Sequence, residues 1–282
     1  METVHLPAYA KINLGLVITG RRADGYHELV TIFRRISLHD DLVLQRTQTP
    51  GLSLSCSEIS LTGPDNILHR AWALMRERFE LPGGMAVSLT KRIPMQAGLG
   101  GGSADAAAFL TGCAQLFSLS LTKEQLLPIA SALGADVAAC LYEGTMLGRG
   151  KGEQLTEIKT NLSFPLVIVK PEAGCPTGAM FSAFDKLKGS DDDAPIRACL
   201  RALQENDRKA LCRRLYNSFE AVVAPEILAH KELLLQTGAS AALLSGSGSC
   251  VFGIYDDDEA AANACHALSR SHRVYLCRTI PE

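Results

Sequence analysis

Apolar residues alternate with other residue types along the first segment of the chain. Within the stretch 4–19, every second position is apolar at Ala10, Ile12, Leu14, Leu16 and Ile18. Alternation with a period of two predicts a β-strand with one buried face. Lys11 and Asn13 lie on the opposite face, two residues apart, and are therefore predicted to be neighbours. Two interpretations of this lysine stay open: a charge on an edge strand that discourages aggregation, or a charge directed into a functional site.

Periodicity and turn signals predict the remaining elements. In the first half they predict strands at 42–44 and 85–93 and helices at 67–79 and 104–117. Thr122 and Gln125 form a capping-box pattern, and the helix that follows is expected to stop at Gly134. In the second half the predicted helices are 179–186, 196–204, 209–223, 226–236 and 259–268, and the predicted strands are 166–170, 273–277 and a pair joined by a Gly/Ser loop at 245–249. Strands and helices that mix without strict βαβ alternation favour an α+β fold.

The length of the chain favours two domains. Its 282 residues exceed the roughly 100 to 200 residues of a typical single domain. The composition changes across 144–152, GTMLGRGKG, which is rich in glycine and basic residues. We therefore predict an N-terminal domain at 1–157 and a C-terminal domain at 158–282.

A glycine-rich loop at 94–108, PMQAGLGGGSADAAA, lies between a predicted strand and a predicted helix. Successive backbone N–H groups followed by a helix N-terminus form a positively polarised concavity, which suits an anion such as phosphate. The loop lacks the lysine of a P-loop, because Ser103 and Ala104 follow the last glycine. A dinucleotide fingerprint requires glycine at position 103 and an acidic residue about 20 residues later, and neither fits here. A third type of phosphate loop is predicted.

Asp136 lies in an otherwise apolar stretch, Ala135 to Cys140. Burying a carboxylate is costly unless it is paired or functional. One interpretation is an aspartate that caps a short helix. The other pairs Asp136 with Lys11 beside the phosphate loop, as two catalytic side chains.

Composition excludes several classes of function. A net charge of −2 gives no global basic field for wrapping nucleic acid. The nine cysteines show no CxxC pair and no clustering at metal spacing, and are expected to be reduced thiols of a cytoplasmic protein. No apolar run reaches the roughly 18 residues of a membrane span. We expect a soluble protein with no nucleic-acid or membrane partner.

The turn at 21–29, RRADGYHEL, contains an Asp-Gly turn signal followed by Tyr26 and His27. Such a polar turn is often only a turn. An aromatic residue next to a histidine can also stack on a nucleobase and hydrogen-bond its edge, so a base-binding role is the second interpretation.

Five segments, in order along the whole chain, resemble the GHMP family of small-molecule kinases. They are Tyr9-Ala10-Lys11-Ile12-Asn13, the turn at 21–29, the loop at 94–107, Gly134-Ala135-Asp136-Val137 and the Gly/Ser loop at 245–252. The resemblance implies an N-terminal domain like the second domain of ribosomal S5-type proteins and a ferredoxin-like C-terminal domain. It also implies ATP, with Mg²⁺, as the phosphoryl donor, and a monomer or weak homodimer.

The resemblance assigns roles to individual residues. Asp136 would take the proton of the accepting hydroxyl, and Lys11 would orient that hydroxyl and stabilise negative charge. Residues implied to bind ATP are Asn66 and Lys91 near the adenosine, and Pro94, Gly98, Gly100, Gly101, Gly102, Ser103 and Ala104 at the phosphates. Apart from the resemblance, no cluster of metal ligands is evident in the sequence, and Ser103 is a candidate contact for Mg²⁺.

A small alcohol joined to cytidine diphosphate is the acceptor that the resemblance implies. Residues implied to bind it are Asn13, Tyr26, His27, Asp136, Thr177, Phe181, Gly246 and Gly248, with Tyr26 and Phe181 sandwiching the base and the 245–249 loop closing the site. The chain departs from the family in having Tyr9 where proline is usual, and in the less regular segment that contains Thr177 and Phe181.

Two alternatives stay open. One is a GHMP kinase for another alcohol, of the homoserine or mevalonate type, which the Tyr-His pair disfavours because such a pair suits a base better than a small acid. The other is a nucleotide-binding or RNA-binding module without turnover. Lys11 and Asp136 disfavour that alternative, as does the lack of a basic stripe with interleaved aromatic residues.

Overall fold

Strands and helices alternate irregularly along the chain, as expected for an α+β protein. The computed structural model describes residues 2–187 and 192–280. The strands are β1 (Thr3–Arg21), β2 (His27–Thr47), β3 (Gly51–Cys56), β4 (Gly84–Thr90), β5 (Thr145–Arg149), β6 (Gln154–Glu157), β7 (Pro165–Lys170), β8 (Tyr216–Asn217), β9 (Ala241–Leu244), β10 (Val251–Ile254) and β11 (Arg273–Arg278). The helices are α1 (Ile67–Phe79), α2 (Gly101–Leu116), α3 (Lys123–Leu133), α4 (Ala135–Cys140), α5 (Thr177–Phe184), α6 (Ala194–Gln204), α7 (Arg208–Cys212), α8 (Pro225–Gln236) and α9 (Asp258–Leu268).

The strands form two sheets. The first has the order β3-β4-β2-β1-β8, with β5 paired to β2 and β6 paired to β5. The second has the order β11-β7-β10-β9 and is antiparallel throughout. Parallel pairs occur between β3 and β4 and between β1 and β8. The predicted α+β class is confirmed.

The chain divides into two compact units that are each built from separate segments. Unit 1 comprises Met1–Ala10, His39–Ile93 and Gly100–Tyr142, and unit 2 comprises Lys11–Leu38, Pro94–Leu99 and Glu143–Glu282. The long strands β1 and β2 each contribute residues to both units. A contiguous domain boundary near residue 157 stays a prediction.

Unit 1 packs helices α1 to α4 together beside β3 and β4. The alanine-rich helix α2 is buried along most of its length, because its small side chains let α1, α3 and α4 approach it closely. Helix α3 begins with the predicted capping box, in which the Thr122 hydroxyl accepts from Gln125 N and the Gln125 side chain accepts from Thr122 N. Its C-cap is Gly134, where the sequence predicts the helix to stop.

Unit 2 has its core on one face of the second sheet. Val167 and Val169 of β7 lie in a buried cluster that also contains Leu16 and Ile18 of β1. The same cluster includes side chains of α5, α8 and α9. This packing fixes the position of β1 within unit 2, and with it the side chain of Lys11.

The predicted helix at 209–223 is wrong. Helix α7 ends at Cys212, and Tyr216 and Asn217 form the short strand β8, which pairs in parallel with β1. The Asn217 side chain accepts from Phe219 N and donates to Leu244 O and Gly246 O, both at 2.8 Å. These long-range bonds satisfy polar groups that a continued helix would leave without partners, and so they override the local helical pattern.

The largest of the other boundary shifts affect three predicted elements. Strand β4 ends at Thr90, short of residue 93, and β2 extends the predicted 42–44 segment back to His27. Helix α2 begins at Gly101, inside the glycine-rich loop, where residue 104 was the predicted start. The predictions contained no strands at the positions of β3, β5, β6 and β8.

Candidate functional site

Lys11 is a buried lysine in unit 2, with 6% of its surface exposed. Its Nζ donates to Asn13 Oδ1 at 2.8 Å and to Gly98 O at 3.1 Å. Asn13 donates in turn to the Thr31 hydroxyl at 2.7 Å, and Thr31 donates to a backbone carbonyl. The predicted adjacency of Lys11 and Asn13 is therefore present. A buried ammonium held by a hydrogen-bond network differs from a solvated edge-strand lysine, and β1 lies between two other strands in its sheet.

The first part of the glycine-rich loop packs against the Gly/Ser loop at 245–249 within unit 2. Gly98 has a φ of 73°, and its carbonyl accepts from the Ser245 hydroxyl at 3.0 Å. Cys250 N also donates to Ala97 O at 3.1 Å. A Cβ on Gly98 would lie 1.8 Å from Ser245 O, so only glycine allows this close approach. Pro94 is buried just before the contact.

Gly246 and Gly248 both adopt positive φ in the second loop, at 54° and 89°. A Cβ on Gly246 would lie 3.3 Å from Lys11 Nζ, which places this glycine beside the ammonium. Ser247, between them, lies 3.0 Å from the Thr177 hydroxyl at the start of α5. Lys11, Asn13, Gly98, Gly246 and Gly248 are thus brought together in unit 2.

The second part of the glycine-rich loop belongs to unit 1 and forms the N-terminus of α2. Gly100 is the N-cap with a φ of 69°, and Ala104 N makes the first intrahelical bond, to Gly100 O at 2.8 Å. The N–H groups of Gly101, Gly102 and Ser103 therefore have no intrahelical acceptor. The first turn carries no acidic residue to offset the positive end of the helix dipole. This geometry suits the predicted binding of phosphate.

Lys91 and Asn66, the residues assigned to the adenosine, both make internal contacts in unit 1. Lys91 Nζ contacts Asp40 Oδ2 and lies 2.7 Å from Asp105 Oδ2, and all three side chains are buried. Burial lowers the pKa of Lys91, but the two carboxylates more than offset this, and the net pKa is raised. Asn66 caps α1 by accepting from Leu68 N at 2.9 Å.

Asp136 is the second residue of the short helix α4 and is half-buried. The N-cap of α4 is Gly134, which makes no side-chain cap hydrogen bond, so Asp136 is not the cap residue. Val137 to Ala139, which follow it, are buried. Asp136 belongs to unit 1 and Lys11 to unit 2, and their proximity stays a prediction.

His27 lies at one end of an aromatic cluster in unit 2. The His27 ring stacks on Phe181, with centroids 4.5 Å apart and an interplanar angle of 15°, and Phe181 meets Phe219 edge-on at 4.9 Å. Tyr26 is 60% exposed, and Lys151 Nζ lies 4.4 Å from its ring centroid. Phe181 therefore stacks on His27, and the predicted sandwich of a base between Tyr26 and Phe181 stays a prediction.

Sequence profiles of known families match two stretches of the chain. The profile described as GHMP kinases N terminal domain matches residues 66–144, and the profile described as GHMP kinases C terminal matches residues 199–273. A protein of Moorella thermoacetica named 4-diphosphocytidyl-2-C-methyl-D-erythritol kinase is 42% identical over 96% of this chain and 97% of its own length. A protein of the same name from Acetivibrio thermocellus is 38% identical over 99% of this chain and 100% of its own length.

The chain belongs to the 4-diphosphocytidyl-2-C-methyl-D-erythritol kinase family of GHMP kinases. A solved structure described as 4-(cytidine 5'-diphospho)-2C-methyl-D-erythritol kinase aligns with a TM-score of 0.84 at 34% identity, covering 98% of both chains. Mevalonate kinase of L. major aligns with a TM-score of 0.79 at 18% identity, which shows the shared fold. The predicted GHMP kinase fold is confirmed.

Several residues of this GHMP kinase site were missed from the sequence. Asp40 and Asp105 bind Lys91, and Asp185 binds His27. Asp185 follows Phe181 by four residues, a spacing that puts two residues on one side of a helix and could have drawn attention to it. No local sequence pattern pointed to Asp40, because its partner Lys91 is 51 residues away.

Two kinds of feature are missing from the described residues of this GHMP kinase. Across residues 2–187 and 192–280, no three His, Cys, Asp or Glu side chains are grouped as a metal site. Within the same residues, no helix combines the length and apolarity that a membrane crossing requires.

Proposed function

We propose that the chain transfers the γ-phosphate of ATP to the 2-hydroxyl of 4-diphosphocytidyl-2-C-methyl-D-erythritol. The products are the 2-phosphate and ADP, in methylerythritol phosphate isoprenoid precursor biosynthesis. The observation that carries this proposal is 42% and 38% identity, over nearly complete length, with kinases named for that compound. The buried Lys11 network and the uncapped start of α2 are features that such a reaction uses.

In the proposed reaction Asp136 accepts the proton of the 2-hydroxyl, whose oxygen attacks the γ-phosphorus while the bond to the β-phosphate oxygen breaks. Phosphoryl transfer depends mainly on alignment and charge stabilisation, so few covalent functions are needed. Lys11 supplies a positive charge that Asn13 and Gly98 O hold in one place. Such preorganisation lowers the barrier because the charge does not have to be reoriented as the reaction proceeds.

On the donor side, we propose that ATP binds as its magnesium complex. The Gly98 and Gly100 to Ala104 segment would supply N–H groups to the phosphates, with Pro94 next to it, and the Ser103 hydroxyl would help to hold the magnesium ion, which neutralises phosphate charge when bound. The loop contains no lysine, so backbone dipoles, Mg²⁺ and Lys11 offset the triphosphate charge. Asn66 and Lys91 are proposed to lie near the adenosine.

On the acceptor side, we propose a cytidine subsite formed by Tyr26, His27 and Phe181. The stacked His27 and Phe181 rings, 4.5 Å apart, support it. Asn13, Thr177, Gly246 and Gly248 are proposed to contact the alcohol and the diphosphate. We further propose that the enzyme works in the cytoplasm as a monomer or weak homodimer.

The first test measures ADP release with three acceptors: the diphosphocytidyl alcohol, the free polyol and homoserine. We expect turnover with the diphosphocytidyl alcohol only, because the other two lack a base to occupy the aromatic cluster. Preference for homoserine or a mevalonate-type acid would contradict the proposed substrate. Tight ATP binding without ADP release from any acceptor would indicate a module without turnover.

The second test uses Lys11→Ala and Asp136→Asn. Each is expected to lower kcat by roughly 10²-fold or more, since a positioned general base or charge contributes about that much, while ATP binding is retained. Matched controls are Lys159→Ala and Glu205→Gln, which remove a charge from exposed positions. Near-full turnover in either test variant would rule out the proposed mechanism.

A further inference from the structure

His27 is held by contacts on two sides within unit 2. One face of its ring stacks on Phe181, and its Nε2 lies 2.6 Å from Asp185 Oδ1. The side chain is 8% exposed, so water competes little for these contacts. Arg21 lies 3.6 Å from the other carboxylate oxygen of Asp185. The ring is therefore fixed both in position and in rotation.

The Asp185 contact also decides which ring nitrogen carries the proton. An ionised carboxylate only accepts hydrogen bonds, so Nε2 must donate, and in a neutral imidazole the lone pair then lies on Nδ1. The hydrogen bond from His27 lowers the pKa of Asp185, which keeps the carboxylate ionised. Nδ1 makes neither of these contacts, and in the neutral ring it presents an acceptor.

We propose that Asp185 is a positioning residue that fixes the neutral form of His27 as the Nε2–H tautomer, in which Nδ1 selects a nucleobase amino group over a carbonyl. Cytosine presents an exocyclic amine donor where uracil presents a carbonyl acceptor. A lone pair on Nδ1 accepts a hydrogen bond from the cytosine amine and repels the uracil carbonyl oxygen. The part of this inference that concerns specificity for cytidine rests on the proposed function. The part that concerns the position of the His27 proton does not.

Asp185→Asn tests the role of the carboxylate with little change of shape. The asparagine amide can donate to Nε2, and the proton then moves to Nδ1, which becomes a donor. Asp185→Glu restores an acceptor and is the conservative rescue. The matched control is Asp258→Asn, which removes the carboxylate from another aspartate–arginine ion pair, that with Arg278. Thermal unfolding of each variant shows whether it is folded.

The first measurement is the ¹⁵N NMR spectrum of His27 in the ligand-free protein at mildly alkaline pH. We expect a protonated Nε2 and an unprotonated Nδ1 in the wild type and in Asp258→Asn, with the pattern lost or reversed in Asp185→Asn. A wild-type spectrum with a proton on Nδ1 would overturn the inference. If Asp185 had only a structural role, Asp185→Asn would leave this NMR pattern unchanged.

The second measurement compares binding of cytidine diphosphate and uridine diphosphate by calorimetry. We expect the wild type to favour the cytidine compound and the ratio of the two Kd values to fall by roughly tenfold or more in Asp185→Asn, because the buried acceptor is replaced by a donor. Asp185→Glu should recover part of the ratio. A wild type that binds both equally, or an unchanged ratio in Asp185→Asn, would overturn the inference.

These outcomes separate the inference from the proposed function. A wild type that binds neither compound and phosphorylates no diphosphocytidyl alcohol would contradict the function, and the NMR result would still decide the tautomer. A wild type that is active and selective, with unchanged selectivity in Asp185→Asn, would contradict the inference alone.

Discussion

Asp105 is a buried carboxyl group in the first half of α2. Its Oδ2 lies 2.7 Å from Lys91 Nζ, while no donor among the described residues reaches its Oδ1. Burial raises its pKa to about 7; the Lys91 ammonium opposes this, and the nearby Asp40 carboxylate adds to it. A carboxyl group with this pKa keeps its proton over a pH range in which the same group of the unfolded chain has lost its proton.

Because of Asp105, the free energy of unfolding should therefore fall as the pH rises. The folded state binds the Asp105 proton more tightly than the unfolded state, so the stabilisation is fully present below the ordinary aspartate pKa and is lost as the pH rises through about 7. We expect Asp105→Asn to flatten the pH dependence of the unfolding free energy by on the order of 1 to 2 kcal/mol between about pH 5 and about pH 8. Urea unfolding at several pH values measures this.

Asp41→Asn is the matched control for Asp105→Asn. Asp41 is a partly exposed carboxylate paired with Arg92, close to the buried cluster in sequence. Its replacement should leave the slope of stability against pH nearly as in the wild type. A slope that Asp105→Asn leaves unchanged would show that Asp105 does not take up a proton in this range.

At the residue scale, the sequence predicted contacts within one element and missed those between distant segments. Lys11 and Asn13 are neighbours because side chains two apart on a strand share a face, and the structure joins them at 2.8 Å. Asp185 meets His27 across 158 residues, and no local pattern encodes that distance. Asp40 and Lys91 were missed as a pair for the same reason.

At the element scale, the glycine-rich loop is part turn and part helix. The predicted start of α2 was late by three residues because glycines lower helix propensity, yet α2 begins at Gly101. Gly101 needs its small size: a Cβ there would lie 3.0 Å from the Ile93 side chain. The consequence is that the N–H groups without an intrahelical acceptor lie at the glycine run itself.

Gly98→Ala is expected to destabilise the protein by at least about 2 kcal/mol, because a left-handed alanine is strained and its Cβ would overlap a carbonyl. The overlap is with Ser245 O, at 1.8 Å, and the φ of Gly98 is 73°. Chemical denaturation of the purified variant measures the loss.

The same loop offers a control for Gly98→Ala. Nothing lies within 4 Å of a Cβ on Gly102, and its φ is not positive. Gly102→Ala should change stability by less than about 1 kcal/mol, or increase it slightly, since alanine favours a helix. Equal losses in the two variants would mean that the approach of Gly98 to Ser245 is not what requires glycine.

The elements that were predicted well have strong local signals. Helix α1 matches its predicted bounds, and the capping box and Gly134 delimit α3 as expected. The stretch 209–223 failed because long-range bonds of Asn217 and strand pairing with β1 compete with a helical pattern. Strand β8 has two residues, too few for any periodicity to show.

At the scale of the whole molecule, fold class and family were accessible from the sequence, while the division into units was not. The glycine-rich loop and the segments around Lys11, His27 and Asp136 identified the GHMP family, which the comparisons confirm. Each unit is assembled from three separate segments. Composition and periodicity report on contiguous stretches, and so they indicate contiguous domains.

The pairing of β1 with β8 determines when unit 2 can be completed during translation. Gly15 and Leu16 lie beside Tyr216 and Asn217, so the first strand leaves the ribosome roughly 200 residues before its parallel neighbour, or roughly 10 to 40 s earlier at ordinary elongation rates. Throughout that interval Leu16 and Ile18 lack the partners that bury them in the finished core. A nascent chain of this kind exposes an apolar strand early, before the residues that bury it have been synthesised.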